Sequence, residues 1–352
     1  MMKKGYILII LAGLFIFSAF SQTPISDQHW TLYFEDQFNG TSVNTSKWNF
    51  SFPWSNCDGE AHQTSHGGNH EFSNGTIKLV SKKESSICSH WDGTAFSKPY
   101  TTGALFSKET FKYGYFEIRC KLPELKNTSY TGKGFAPGFW MWPLAPDSYY
   151  PYYDNPVTWS EIDFFEINAK NNLHSCNVHY KDIYFGTSSK WELRQNSDFD
   201  FTIDFNNFHK FSCEWTPNYI SFYFDDKLIR TVHTDTARKL IPMNLIMGIA
   251  TPAGNFLEGF APNSLFPYKF EIDYVKVYKL SMDCYTDVSA AQFSYNTHDY
   301  RVKRNIVIGG STGKVPNGLS VSLRATQSIT LNDGFEVPLG SDFYANICKC
   351  ED

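Results

Sequence analysis

The sequence predicts an all-β protein, and three observations lead to that prediction. First, apolar and polar residues alternate, as in strands with one buried face, at residues 76–80, 115–119, 219–224 and 270–278. Second, turn-forming pairs such as Asn74-Gly75 separate these segments. Third, no long segment has the period of an amphipathic helix. Many short strands with turns between them indicate an antiparallel sandwich or barrel.

The N-terminus predicts export. Lys3 and Lys4 precede an apolar run at residues 6–17, and the small residues Ala19 and Ser21 follow it. This order is typical of a secretory signal peptide, so we expect residues 1–21 to be removed and the protein to be secreted or held at the cell surface. A retained anchor, which would need about 20 apolar residues, is the less favoured alternative. We expect no membrane insertion of the mature chain.

The rest of the chain is long enough for more than one folding unit. At roughly 150 residues per domain, it allows two domains, or one large β domain with an appendage. We favour the second arrangement, with a main sandwich at residues 22–282 and a small β module at residues 283–352. A pause in the strand pattern near residues 280–287 marks the predicted boundary.

Composition narrows the choice of partner. The net charge is −5 and aromatic residues make up 17% of the chain. This balance does not favour nucleic acid or an anionic membrane surface as a partner. Aromatic faces suit sugars better, so we expect a polysaccharide substrate and a monomeric protein.

The chain has eight cysteines, and all of them follow the predicted signal peptide. Some disulfides are therefore expected in an exported protein, although spacing alone does not give their connectivity. The candidate pairs are Cys57 with Cys88, and Cys284 with Cys348 or Cys350.

Residues 159–167, Trp-Ser-Glu-Ile-Asp-Phe-Phe-Glu-Ile, carry the predicted chemistry. On a regular strand Glu161 and Asp163 share one face, while Glu166 points to the other. One extra residue would restore the phase. We therefore predict a β-bulge at Phe164-Phe165 that brings all three carboxylates onto one face. The alternative is a half-buried strand whose acidic side meets the solvent.

Three close carboxylates favour acid–base chemistry. Like charges on one strand face are unfavourable unless the site uses them, and they push the pKa values of the carboxyl groups apart. An ionised group beside a protonated one is what a double-displacement glycosidase needs for its nucleophile and its acid/base. Asp163, between the two glutamates, can hydrogen-bond the nucleophile and hold its orientation.

Residues 161–166, Glu-Ile-Asp-Phe-Phe-Glu, resemble the bulged signature of glycoside hydrolase family 16, which includes laminarinases, agarases, porphyranases and carrageenases. Other segments match in order and spacing: residues 34–40, 100–105, 113–119, 136–143, 208–215 and 272–278. The resemblance implies a concanavalin-like jelly-roll β-sandwich of two curved sheets. Its concave face would form an open cleft that accepts the middle of a polysaccharide chain.

The resemblance also assigns roles by position. Glu161 matches the nucleophile, Asp163 the assisting carboxylate and Glu166 the acid/base of an enzyme that cleaves internal β-linkages with retention. We expect the Glu161 and Glu166 carboxyl groups to lie roughly 5–6 Å apart. The positions that match cleft residues are Trp140, Trp142, Trp159 and His179. Core packing is the alternative for the tryptophans, and a purely structural role is the alternative for His179.

Two regions depart from the laminarinase pattern. Residues 251–256 replace a glycine pair and a tryptophan near the end of the cleft, and Asn255 is our substrate-binding candidate there. The segment at residues 144–158 predicts a long surface loop. Laminarin specificity is therefore in question, and the expected substrate is a β-glucan or a marine galactan.

No cofactor is expected to be required for catalysis. His62, His66 and His70 are spaced as zinc ligands on a helix would be, but Gly67-Gly68 would break such a helix. The family resemblance implies a structural calcium ion, with Glu35 and Asp273 at the matching positions. Ordinary surface carboxylates are the alternative for these two residues.

Two rival functions share this sequence pattern. A transglycosylase would pass the same glycosyl intermediate to a sugar instead of water. A non-catalytic glycan-binding protein should have lost one of the two glutamates, and both are present. The C-terminal module shows no catalytic cluster, and it resembles short β modules at the ends of many exported Bacteroidetes proteins.

Overall fold

The fold is built from strands, as the sequence predicts. The computed structural model describes residues 30–65, 67–122, 135–143, 159–168, 173–181, 204, 206–216, 219–233, 240–250, 266–280, 284–289, 302–309, 313–315, 317 and 320–347. These residues form 23 strands, and their only helical element is a 3-10 turn at Gly67–Asn69. Within the described ranges, no helix has the length and apolar character needed to cross a membrane.

The first large sheet has eight strands. Their bounds are β1 (Trp30–Asp36), β5 (His70–Ser73), β6 (Thr76–Ser81), β11 (Gly114–Lys121), β15 (His209–Trp215), β16 (Tyr219–Phe224), β17 (Lys227–His233) and β19 (Tyr268–Leu280). The order is β17-β16-β15-β11-β19-β6-β5, and β1 also pairs with β19. The 13-residue strand β19 can hold both β6 and β1 because they pair with different parts of its length.

The second large sheet has six antiparallel strands and carries the predicted catalytic segment. Their bounds are β2 (Trp48–Asn49), β10 (Ala104–Phe111), β12 (Ala136–Trp142), β13 (Trp159–Asn168), β14 (Leu173–Lys181) and β18 (Met243–Ala250). The order is β14-β13-β12-β18-β10-β2. The predicted catalytic strand β13 is thus second from one edge.

One apolar core joins the two large sheets. Both sheets contribute residues to the same buried cluster. Phe116 and Phe211, for example, come from the eight-stranded sheet. The ring centroid of Phe164 lies 5.4 Å from that of Phe116, and the ring of Phe165 lies 4.3 Å from that of Phe211. This face-to-face packing is the β-sandwich that the sequence predicts.

Two small sheets lie beside the sandwich. One comprises β3 (Cys57–Asp58), β4 (Ala61–Gln63) and β9 (Tyr100–Thr102), and the other is the hairpin of β7 (Ser86–Ser89) and β8 (Ala95–Lys98). The Cys57–Cys88 disulfide links them, which confirms that predicted pair. Cys284 is disulfide-bonded as well, to a partner outside the described residues.

The C-terminal region forms a separate parallel sheet. Its strands, in spatial order, are β20 (Asp287–Ser289), β21 (Val302–Ile308), β22 (Ser320–Leu331) and β23 (Asp342–Ile347). They share a second apolar cluster that includes Ile306 and Leu323. The longest of them, β22, is one continuous strand of 12 residues. Its polar residue Ser328 stays in the ladder, since it pairs with Asn305 and donates a 2.7 Å hydrogen bond to that residue.

Candidate active site

The register of β13 contains the predicted bulge. Against β14, Asp163 pairs with Asn177 and Glu166 with Ser175, so β13 has one residue more than its partner between these positions. Against β12, the adjacent residues Phe139 and Trp140 pair with Phe165 and Asp163. The extra residue is therefore Phe164. The bulge prediction is confirmed.

The bulge places both phenylalanines in the core. Phe164 and Phe165 are adjacent in sequence, yet each is at most 1% exposed and belongs to the main apolar cluster. On a regular strand adjacent side chains would point to opposite faces. Because both rings occupy the core side, Glu166 returns to the side of Glu161 and Asp163.

The electrostatics show that the three carboxyl groups are neighbours. Burial raises the pKa of Glu161 well above its ordinary range, and the negative charges of Asp163 and Glu166 raise it further. A hydrogen bond with Asp163 also favours the protonated form of Glu161. The site therefore resists carrying three full negative charges and tends to hold a proton within the group.

His179 is placed beside this carboxylate group, as predicted. Its Nε2 atom lies 3.0 Å from Oδ2 of the buried Asp163, and its backbone pairs with that of Glu161. Sequence reasoning did not assign Asn177, the buried cross-strand partner of Asp163. The strand period could have identified it, because Cys176 and Val178 belong to the core and Asn177 lies between them.

An aromatic surface adjoins the carboxylates. Trp140 is paired with Asp163, and its ring centroid lies 6.1 Å from that of Trp142. Phe139 and Met141 are in the core, so both tryptophans point away from it. Both are partly exposed, which favours a cleft position over core packing.

Two further aromatic residues reach this surface from a loop. The ring of Phe52 lies 5.7 Å from that of Trp140, and the ring of Trp54 lies 6.0 Å from that of Trp142. Phe52 and Trp54 also stack on each other at 4.8 Å. We call residues 52–57 the aromatic arm. Sequence reasoning missed it, because an irregular segment has no period that reveals a long-range contact.

Three of the predicted substrate-contact features have side chains that the structure does not describe. Trp159 begins β13, but its side chain is not among those described. Asn255 and the loop at residues 144–158 also fall outside the described ranges. Their roles stay predictions.

Each of the two calcium candidates contacts another side chain. Asp273 forms an ion pair with Arg119, and Oε2 of Glu35 accepts a 2.8 Å hydrogen bond from the Gln37 side chain. A guanidinium group beside a carboxylate disfavours a cation there. Among the described residues, no group of three or more His, Cys, Asp or Glu side chains could hold a metal ion. The calcium expectation stays a prediction without support from these contacts.

His62 and His70, two of the three histidines considered as zinc ligands, have different hydrogen-bond partners. Nδ1 of His62 lies 2.7 Å from the Ser86 hydroxyl, and Nε2 of His70 lies 3.0 Å from the Ala104 carbonyl oxygen. His66 is outside the described residues. His62 is in β4 and His70 begins β5, so no helix aligns them.

Neighbouring carboxyl groups beside tryptophans on one face of a β-sandwich are typical of glycoside hydrolases. Residues 57–276 match the model of Glycosyl hydrolases family 16. This match covers more than half of the chain, and the chain belongs to that family.

Similar proteins carry related names. Glucan endo-1,3-beta-glucosidase A1 of Niallia circulans is 29% identical over 281 residues, which cover 70% of this chain but only 38% of that protein. The glucan endo-1,3-beta-glucosidase of Cryptopygus antarcticus is 26% identical, with 70% and 91% of the two chains covered. The kappa-carrageenase of Pseudoalteromonas carrageenovora is 26% identical, with 74% and 68% covered.

Solved structures agree on the fold. LamAcat from Zobellia galactanivorans superposes with a TM-score of 0.53 at 26% identity, covering 71% of this chain and 98% of that one. A kappa-carrageenase in complex with an oligotetrasaccharide gives a TM-score of 0.56 at 22% identity, covering 71% and 94%. The second likeness supports the fold alone.

Proposed function

We propose that the protein is a secreted endo-glycosidase that hydrolyses internal β-linkages of a polysaccharide with retention of configuration. The observation that carries the proposal is the bulge at Phe164, which groups Glu161, Asp163 and Glu166 on one face of β13. Retaining glycosidases need two carboxyl groups close together, one as nucleophile and one as acid/base.

In the first step the Glu161 carboxylate attacks the anomeric carbon, and the bond to the leaving sugar breaks as Glu166 donates its proton to the departing oxygen. In the second step Glu166 takes a proton from water, whose oxygen displaces Glu161 from the anomeric carbon. Asp163, held by His179, orients Glu161 and accepts a hydrogen bond from it when Glu161 is protonated.

The proton balance of the site suits this sequence. Burial and the neighbouring charges oppose ionisation of Glu161, so its ionised form is favoured when Glu166 retains a proton. That state has one carboxylate and one acid in the roles that the first step needs.

We propose a β-glucan or a marine galactan as the substrate. Relatives named as glucan endo-1,3-beta-glucosidases and as a kappa-carrageenase support both classes. Trp140 and Trp142 supply apolar faces on which sugar rings can stack beside the carboxylates.

The test is a screen of the purified protein on laminarin, lichenan, agarose, porphyran and carrageenans, with proton NMR of the first anomer released. We expect one substrate class to be cut internally with a β-anomer as first product, and the Glu161→Gln variant to be folded and inactive. An α-anomer as first product, or an active Glu161→Gln variant, would contradict the mechanism. No activity on any glycan would contradict the proposed function.

A further inference from the structure

The β7–β8 hairpin exposes two large aromatic side chains away from the carboxylate group. Trp91 is 52% exposed and Phe96 is 39% exposed. Exposed aromatic side chains on one hairpin are candidates for a binding surface, because leaving them in water has a free-energy cost. Neither residue has a part in the catalytic steps described above.

The hairpin is fixed to the aromatic arm by covalent and hydrogen bonds. Cys88 on the hairpin is bonded to Cys57 on the arm. The Trp91 backbone N–H donates to the Trp54 carbonyl oxygen at 3.0 Å, and the Ser89 N–H donates to Oδ1 of Asn56 at 2.6 Å. The arm and the hairpin therefore form one continuous structure, which runs from Trp140 and Trp142 to Trp91.

The hairpin turn is itself well ordered by local contacts. The His90 N–H donates to the Thr94 carbonyl oxygen at 2.9 Å, and the Thr94 N–H donates to Oδ1 of Asp92 at 2.9 Å. These two bonds close the turn that carries Trp91. A tryptophan on such a turn loses little further backbone freedom when it binds a ligand.

The two faces of the hairpin differ. Phe96 pairs with Cys88, so both lie on the face that meets the arm, and the rings of His90 and Phe96 lie 4.8 Å apart. Ile87 is 70% exposed, but it pairs with Ser97 and lies on the opposite face. Phe96 is thus on the arm side, and the backbone N–H of Trp91 also meets the arm, while the exposed Ile87 is on the opposite face.

Polar groups accompany the aromatic residues. A cavity of about 410 Å³ is lined by residues that include Asn49, Asn56, His62 and Lys108. Its volume is within the range of small-molecule sites. Asn56 belongs to both the cavity and the arm, so the polar cavity adjoins the arm.

We propose that Trp91 and Phe96 form a distal sugar-binding site for the same polysaccharide chain that occupies the catalytic cleft. The inference rests on the proposed function. The continuity of aromatic residues from Trp140 through the arm to Trp91 identifies the occupant as a distal segment of that chain. Sugar rings stack on Trp91 and Phe96 through their apolar C–H faces. Only a chain long enough to span the arm occupies this site and the cleft at the same time.

The test compares a polysaccharide with an oligosaccharide that is too short to extend from the cleft to the distal site. We expect Trp91→Ala and Phe96→Ala each to lower kcat/KM on the polysaccharide by roughly 3- to 10-fold, the effect of about one aromatic contact. Both variants should match the wild type on the oligosaccharide. The control Ile87→Ala, on the other face, should leave both substrates unaffected.

The same variants in a Glu161→Gln background give a direct measure of binding. In affinity electrophoresis through gels that contain the polysaccharide, we expect Trp91→Ala and Phe96→Ala to be retarded less than Ile87→Ala. Equal retardation of all three, or an equal loss of kcat/KM on both substrates, would overturn the proposal. Failure of the proposed function would look different, because the wild type itself would then cleave no glycan.

Discussion

Nε2 of His179 lies 3.0 Å from Oδ2 of Asp163, while the backbone of His179 pairs with that of Glu161. The histidine thus contacts the middle carboxylate from the strand next to the predicted nucleophile. In the tautomer with its hydrogen on Nε2, the histidine donates this hydrogen bond to Asp163. The contact fixes the Asp163 side chain and, through it, the orientation of Glu161.

We expect His179→Ala to lower kcat by about 10- to 100-fold with little change in KM, because a small displacement of a positioned catalytic group has effects of this size. Asp163→Asn should have at least as large an effect and should also shift the pH profile of kcat. The matched control is His209→Ala, at a residue of the eight-stranded sheet. This change breaks another His–Asp pair, in which Nδ1 of His209 lies 2.6 Å from Oδ2 of Asp225. A comparable loss of kcat in the control would assign the effect to stability.

Glu161→Gln should make the fold more stable at neutral pH while abolishing turnover. The raised pKa of Glu161 means that its stabilising contribution is complete below the unfolded-state pKa, near 4.3, and is lost as the pH rises through the folded-state value. The melting temperature of the variant should therefore exceed that of the wild type by a few °C at pH 7, at roughly 2–4 °C per kcal/mol. The difference should vanish near pH 4. The exposed Glu336→Gln substitution is the control.

Phe164→Ala and Phe165→Ala should each cost about 3–5 kcal/mol of unfolding free energy, because both rings are fully buried and leave a cavity. Urea unfolding at neutral pH measures both costs. A regular strand would bury only one of the two. If one variant were nearly neutral, the bulge would be in the wrong place.

The double variant Cys57→Ser with Cys88→Ser should raise KM on polysaccharide while kcat stays close to that of the wild type. The disulfide ties the hairpin to the aromatic arm, whereas β13 is held by its own sheet. Loss of a native disulfide typically costs about 2–4 kcal/mol, so assays belong well below the lowered melting temperature. A selective fall in kcat would place the effect in the catalytic group instead.

Truncation near residue 283 should leave a folded enzyme with full activity on soluble substrate. The strands β20 to β23 form their own sheet with their own apolar cluster, so their removal should not open the main core. Circular dichroism and activity of the truncated chain measure the outcome. Aggregation of the truncated chain would show that the two regions share a core.

The sequence was most informative where a local rule was broken. Glu161, Asp163 and Glu166 lack the period of 2 that a strand requires, and one extra residue was the simplest repair. The register of β13 confirms that repair at Phe164. The alternating strands follow from the period, and the presence of disulfides follows from export, whereas the Cys57–Cys88 pair was one candidate that the structure confirms.

Other features depend on long-range geometry that no local pattern encodes. Phe52 and Trp54 reach Trp140 and Trp142 from an irregular loop. The sequence also does not reveal that β20 to β23 pair in parallel, because parallel and antiparallel strands have the same side-chain period. The strand period indicates that Asn177 points away from the core, but its proximity to Asp163 depends on the pairing of two strands.

Because β13 lies away from the centre of its sheet, the sheet can contact a longer stretch of substrate on one side of β13 than on the other. In the part of the chain that the structure describes, four strands of its sheet lie on the β12 side and one on the β14 side. With strands about 4.8 Å apart, a chain that crosses the sheet is supported over roughly 19 Å on one side and 5 Å on the other. After cleavage, the fragment on the β14 side rests on fewer of the described strands and should depart first. The fragment that is released last should then be the stronger product inhibitor. Measuring inhibition by each purified product would test this order of release.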